Sequence, residues 1–309
     1  MFKKFGIATA AALILGACGQ ATEAPSSENR DTVTVSHQLG ETTVYVNPQN
    51  VVVLDFGPLD ALHYLGVDLL GVPQASNLPE HLDLFNGDQF QNAGSLAEPD
   101  FEAIFAMNPE LIIISGRLAE AFDDLSAIAP TIHMATGADY MPSFTANMAQ
   151  LGAIFGLETE VEEALARIES RVEEVQDVVG EGREALVLLV NDGQIMAFGE
   201  HSRFGVIHNT FGFEPAAYIA AGGGGTAGSQ EINFEFILET DPAYIFVIDR
   251  SAVLGHAEAH HLLDNELVNA TRAGESGNIH FLTFNVWHTA PGGFGSTHVM
   301  IDDILGAME

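Results

Sequence analysis

The sequence predicts an α/β protein: two α/β lobes joined by one long interlobe helix, with the ligand cleft between the lobes. Three observations predict it. Residues 101–117 (FEAIFAMNPELIIISGR) and 234–250 (FEFILETDPAYIFVIDR) align without a gap at a constant offset of 133. Phe101, Glu102, Ile104, Pro109, Ile112 and Arg117 recur as Phe234, Glu235, Ile237, Pro242, Ile245 and Arg250. Each copy reads as a short amphipathic helix, a turn marked by proline, and a continuous apolar strand ending at an arginine. Strands that are apolar on both faces belong to parallel sheets covered by helices on both sides, and a repeat this long is no solenoid unit. Finally, residues 158–179 place Val161, Leu165, Ile168, Val172 and Val175 at helical spacing, contain no Gly or Pro, and stop at Gly180.

Taken in order, residues 1–17 read as a leader. Lys3 and Lys4 are followed by a short apolar run over 5–14, and then by Leu15-Gly16-Ala17-Cys18. The run is too short to span a bilayer. The four residues resemble a bacterial lipobox, which makes Cys18, the sole cysteine, the lipidated first residue of the mature chain. Residues 18–31 are small and polar and read as a flexible tether. Residues 32–157 form the N-terminal lobe, with strand signals over 42–46 and 50–55 and a helix over 57–65. Residues 158–180 form the interlobe helix. Residues 181–309 form the C-terminal lobe, with strands over 185–190 and 195–198 and a helix over 204–210. Within the long helix, Arg167 and Arg171 have Glu163 and Glu174 at helical spacing and are expected to pair with them.

Charge narrows the partners. Asp and Glu number 43 against 10 Lys and Arg, a net charge of −33. Both lysines lie in the leader, so the mature chain sets eight arginines against 43 acids and stands at −35. That excludes nucleic acid, whose phosphates need basic cover, and electrostatic docking on an anionic membrane. The lipid is then the only membrane attachment. At 47% apolar the chain is not disordered, and one cysteine excludes a disulfide scaffold.

The chain resembles the helix-hinged (class III) substrate-binding lipoproteins of bacterial iron-siderophore ABC importers. Within them it is most similar to the ferric catecholate branch, the petrobactin- and enterobactin-type binding proteins. The segments that carry the likeness are GPLDALHYLGV (57–67), GRLAEAFDDLSAIAPTIHM (116–134), FGEHSRFGVIHNTFGFEPA (198–216), PAYIFVIDRSAVLG (242–255) and LDNELVNATRA (263–273). The resemblance implies a monomeric, non-enzymatic protein in the cell envelope, in the periplasm or on the outer face of the cytoplasmic membrane. It would have no permanent cofactor, would capture a ferric siderophore, and would deliver it to an ABC permease dimer.

The resemblance also implies arginines that hold an anionic iron complex, and Arg117, Arg203 and Arg250 fall on the matching motifs SGR, HSRFG and VIDR. Independently, ligands of open parallel sheets bind beyond the carboxyl ends of strands, where Arg117 and Arg250 lie. A guanidinium is a permanent cation with a planar donor fork, and three would balance the three charges of a ferric tris-catecholate. Trp287 is a candidate to stack on a ligand ring. In the family a tyrosine commonly follows this tryptophan and ligates iron; here the position holds His288. It can ligate iron as a softer donor than phenolate, or only hydrogen-bond. The loop where some members carry a second histidine ligand, 220–229 (AAGGGGTAGS), has none. Glu102 and Glu235, one per lobe, are implied to dock into arginine pockets of the two permease subunits; as helix-start acids they also suit the helix dipole.

Two alternatives stay open within the fold, haem and cobalamin. A third, from another class, is an exported metallo-hydrolase. Its one support is HAEAHH, where His256, His260 and His261 can share a metal on a helix; the plainer reading is an exposed loop or helix start. No HExxH, Walker loop or GxSxG occurs.

Overall fold

The computed structural model describes residues 30–75, 77–220, 227–251 and 258–309. The leader, Cys18, His256 and most of the 220–229 loop lie outside the described residues. Thr32–Glu309 form one unit. Its strands are β1 (Thr32–His37), β2 (Gly40–Tyr45), β3 (Val51–Val53), β4 (Gly71–Val72), β5 (Gln91–Asn92), β6 (Leu111–Ile114), β7 (Thr131–His133), β8 (Glu184–Asn191), β9 (Gln194–Phe198), β10 (Glu214–Pro215), β11 (Ser229–Ile232), β12 (Tyr244–Asp249) and β13 (Ile279–Phe281). Its helices are α1 (Phe56–Tyr64), α2 (Phe101–Met107), α3 (Phe122–Ser126), α4 (Tyr140–Phe155), α5 (Glu158–Val179), α6 (Val206–Asn209), α7 (Phe234–Thr240), α8 (Glu258–Leu263), α9 (Glu266–Asn269), α10 (Arg272–Ser276) and α11 (Phe294–Ala307).

The N-terminal sheet is parallel throughout, in the order β5-β4-β3-β6-β7. The second sheet runs β11-β9-β8-β12-β13, with β10 beside β8; β9 is antiparallel to both its neighbours. Both sheets are covered on both faces, as the continuous apolar runs predict. In β6, Leu111 and Ile113 enter one apolar cluster while Ile112 and Ile114 enter another. In β12, Phe246 and Ile248 face one cluster and Ile245 and Val247 another. Each such side chain contributes about 1.5–3 kcal/mol relative to exposure.

The repeat holds down to its caps. Asp100 and Asn233 accept from the backbone amides of Ala103 and Phe236 and so start α2 and α7. Asn108 and Asp241 end them in the left-handed region at φ 48° and 45°. Helix α5 matches the predicted span and ends at Gly180, with φ +64°. It buries Val161, Ile168, Val172 and Val175, with Leu165 partly buried. Its Arg167 pairs with Glu163 at 4.0 Å, but Arg171 binds His298 and Asp302 rather than Glu174. A partner on a packed neighbour outcompetes the exposed same-helix one.

The tail departs from the expected 181–309 lobe. Helix α11 packs on α1 and α5, and Phe294, Met300, Ile301 and Ile304 share a cluster with α1, α4 and α5. The anchor is Asp60 of α1, 1% exposed, which accepts from the amides of Gly295 (3.1 Å) and Ser296 (2.6 Å) in the first turn of α11. A Cβ at Gly293 would lie 2.2 Å from Asp60 Oδ2, so only glycine lets the loop approach this closely. Asp60→Ala strands two backbone donors, one of them buried, and urea unfolding is expected to show a loss of about 3 kcal/mol. A loss below about 1 kcal/mol would mean that this carboxylate does not fasten the tail.

Candidate functional site

The site is built at the carboxyl ends of β3, β6, β8 and β12. β3 pairs with β6 so that Val53 lies opposite Ile113, which brings Asp55, two residues past β3, beside Ser115. Asp55 is the N-cap of α1, with Oδ1 accepting from the Gly57 amide at 3.1 Å. Its other oxygen accepts from Ser115 Oγ at 2.5 Å and Arg117 Nη1 at 2.9 Å. This 3% exposed carboxylate therefore caps a helix and fixes a guanidinium. In sequence it reads only as a cap; its second role depends on the β3–β6 register.

Arg117 turns its other nitrogen to the backbone carbonyl of His288, at 2.9 Å. Arg203 donates to the same carbonyl. Its guanidinium also lies 5.2 Å from the Phe204 ring centroid. Burial, and then the neighbouring Arg117, lower the Arg203 pKa to about 10, so it stays charged at neutral pH. Arg250 stands at the end of β12, exposed, and among the described residues it has no hydrogen-bond or ion-pair partner.

A cleft of about 450 Å³ opens between these ends. Asn77, Leu96, Ala97 and Arg117 line one side; Asn191, Asp192, Arg250 and Ser251 line the other; Phe284, His288 and Thr289 close it. Of the three expected arginines, Arg117 and Arg250 line the cleft, and Arg203 shares the His288 carbonyl with Arg117. Asn77, Asn191 and Asp192 were not singled out from sequence, because turn residues of these types are common at strand ends.

Trp287 and His288 sit in one wide π-helical turn, Asn285–Thr289, a form that recurs at functional sites. The expected ring stacking by Trp287 does not hold. The ring is 1% exposed, packs edge-on to Phe211, and donates from Nε1 to Asp303 Oδ2 at 2.7 Å. Adjacent residues in a helical turn point to different sides, and with Trp287 buried it is His288 that lines the cleft. His288 stacks on Phe284 with centroids 4.9 Å apart. Burial, then Arg203, Arg117 and Arg250, push its pKa from 6.5 down to about 3, so the imidazole is neutral and offers a lone pair.

That shift has a sign in stability. The unfolded chain protonates His288 near 6.5, the folded one only near 3. Unfolding therefore takes up a proton between these values, and the His288 contribution is lost as pH falls from about 6.5 toward 3. Denaturation midpoints should drop from pH 7 to pH 5, and His288→Gln should flatten part of that drop. An unchanged slope would mean that His288 is not held neutral by this environment.

Among the described residues no group of three or more His, Cys, Asp or Glu is placed to hold a metal ion. His260, one of the HAEAHH histidines, stacks on Phe281 at 3.5 Å instead. Glu102 and Glu235 are exposed in the first turns of α2 and α7. Both helices start on the carboxyl-end side of their sheets, the side on which the cleft opens.

Residues 51–286 match the periplasmic binding protein family. The chain belongs to that family. It is 38% identical to the petrobactin-binding protein YclQ of Bacillus subtilis, across 99% of both chains. It is 31% identical to the ferric-anguibactin-binding protein FatB of Vibrio anguillarum, across 88% of this chain and 86% of that one. The crystal structure of the periplasmic catecholate-siderophore binding protein VctP of Vibrio cholerae superposes with a TM-score of 0.84 at 33% identity, covering 89% of this chain and all of that one. These relatives are named as binding proteins, not enzymes.

Proposed function

We propose that this periplasmic binding protein captures a ferric siderophore with catecholate donors and presents it to a membrane ABC permease. The observation that carries the reading is the pair Arg117 and Arg250. One guanidinium comes from each lobe, at repeat-equivalent strand ends, and both face a single cleft beside a neutral imidazole. Guanidinium forks donate to catecholate oxygens without competing for iron. His288 either hydrogen-bonds the complex or completes the iron coordination. The binding of related cargo by YclQ, FatB and VctP supports the class.

The test is a titration of the emission of Trp287, the sole tryptophan, whose indole adjoins His288. Tight saturable quenching by a ferric catecholate, with ferric hydroxamate, haem, cobalamin and Zn²⁺ weaker, is expected. Quenching by haem or cobalamin alone would discard the siderophore.

Lipidation of Cys18 and docking through Glu102 and Glu235 belong to the same reading. One relative is named a substrate-binding lipoprotein. On α2, Phe105 is 71% exposed one turn beyond Glu102, which suits a covered face. Glu102→Ala with Glu235→Ala is expected to abolish delivery while leaving cargo affinity intact; uptake at the wild-type rate would exclude this docking.

A further inference from the structure

Asp192 places a carboxylate on the wall of a cleft whose cargo is read as an anionic iron complex. The hairpin joining β8 to β9 turns on Asp192 and Gly193, with φ 49° and 77°, and Asp-Gly suits such a turn. Asn serves the same left-handed position equally well, so the turn explains the backbone but not the charge. β12 lies beside β8 with Asp249 opposite Val190, so Arg250 and Asp192 leave neighbouring strand ends into one cleft. Among the described residues neither has a hydrogen-bond or ion-pair partner, and they do not pair with each other. Both are exposed, and among the described residues both are open to a ligand.

The charge balance points the same way. Arg117, Arg203 and Arg250 bring three positive charges, Asp55 cancels one and Asp192 another, and His288 is neutral. One net positive charge is left around the cleft, too little for a trianion in a chain this acidic. A cargo that carries its own cations matches better.

We propose that Asp192 is a specificity-determining residue that selects ferric catecholates bearing a protonated amine. This rests on the siderophore reading above. The test uses the ferric complexes of two synthetic bis-catecholamides of equal span, one with an all-carbon linker and one with a secondary amine in the linker, each titrated against the full chain. The wild type is expected to prefer the amine complex about tenfold, the scale of one charge-assisted hydrogen bond. In Asp192→Asn the ratio should fall to about one, with the all-carbon complex binding more tightly than to wild type as a like charge is removed. No wild-type preference, or a preference that survives Asp192→Asn, overturns the assignment. Binding of neither complex overturns the siderophore reading, and the assignment with it.

Discussion

Arg117→Ala combined with Arg250→Ala is expected to weaken ferric catecholate binding by about a thousandfold. Hydrogen bonds to charged groups contribute about 1.5–3 kcal/mol each, and these two arginines are the guanidiniums that line the cleft. The single variants separate by mechanism. Arg250 has no hydrogen-bond or ion-pair partner among the described residues, so Arg250→Ala should lower affinity with little change in unfolding free energy. Arg117→Ala also strands Asp55 and should lower both. Arg203 acts through the His288 carbonyl, so Arg203→Ala should weaken binding less than tenfold. Equilibrium titration checks all four; an Arg203 effect as large as that of Arg250 would contradict an action of Arg203 through the His288 carbonyl.

The second large effect belongs to Asp55→Ala. The carboxylate receives a backbone amide, a hydroxyl and a guanidinium while 3% exposed. Removing it deletes an N-cap, which costs about 1 kcal/mol, and leaves a partly buried cation unpaired, about 3–5 kcal/mol where burial is complete. A loss of about 4 kcal/mol in chemical denaturation is expected, together with weaker cargo binding as Arg117 loses its brace. Asp55→Asn keeps a cap acceptor and should lose less. Equal losses for the two variants would show that the charge is not what holds Arg117.

Local pattern made most of the architecture readable. The two copies at offset 133 carry the same caps, turns and strand-end arginines because each is a complete local unit, and α5 is set by its own apolar spacing. What the sequence concealed depends on contacts between distant segments. Asp55 gains its second role from strand pairing, Arg171 finds Asp302 across 131 positions, and Asp60 caps a helix 235 positions away. Trp287 reads as a stacking residue by its adjacency to His288, but adjacency does not say which side of a turn faces the cleft; its partner Asp303 lies on α11. The helix predicted over 204–210 shortens to Val206–Asn209 because Ser202 and Gly205 hold tight turns before it.

Crystals soaked with a ferric catecholate and measured at the iron absorption edge test the central claim most directly. The account predicts one anomalous peak inside the cleft, between Arg117 and Arg250 and beside the His288 imidazole. A peak elsewhere, for instance at His260 and His261, or an empty cleft in crystals of protein that binds the complex in solution, would contradict it.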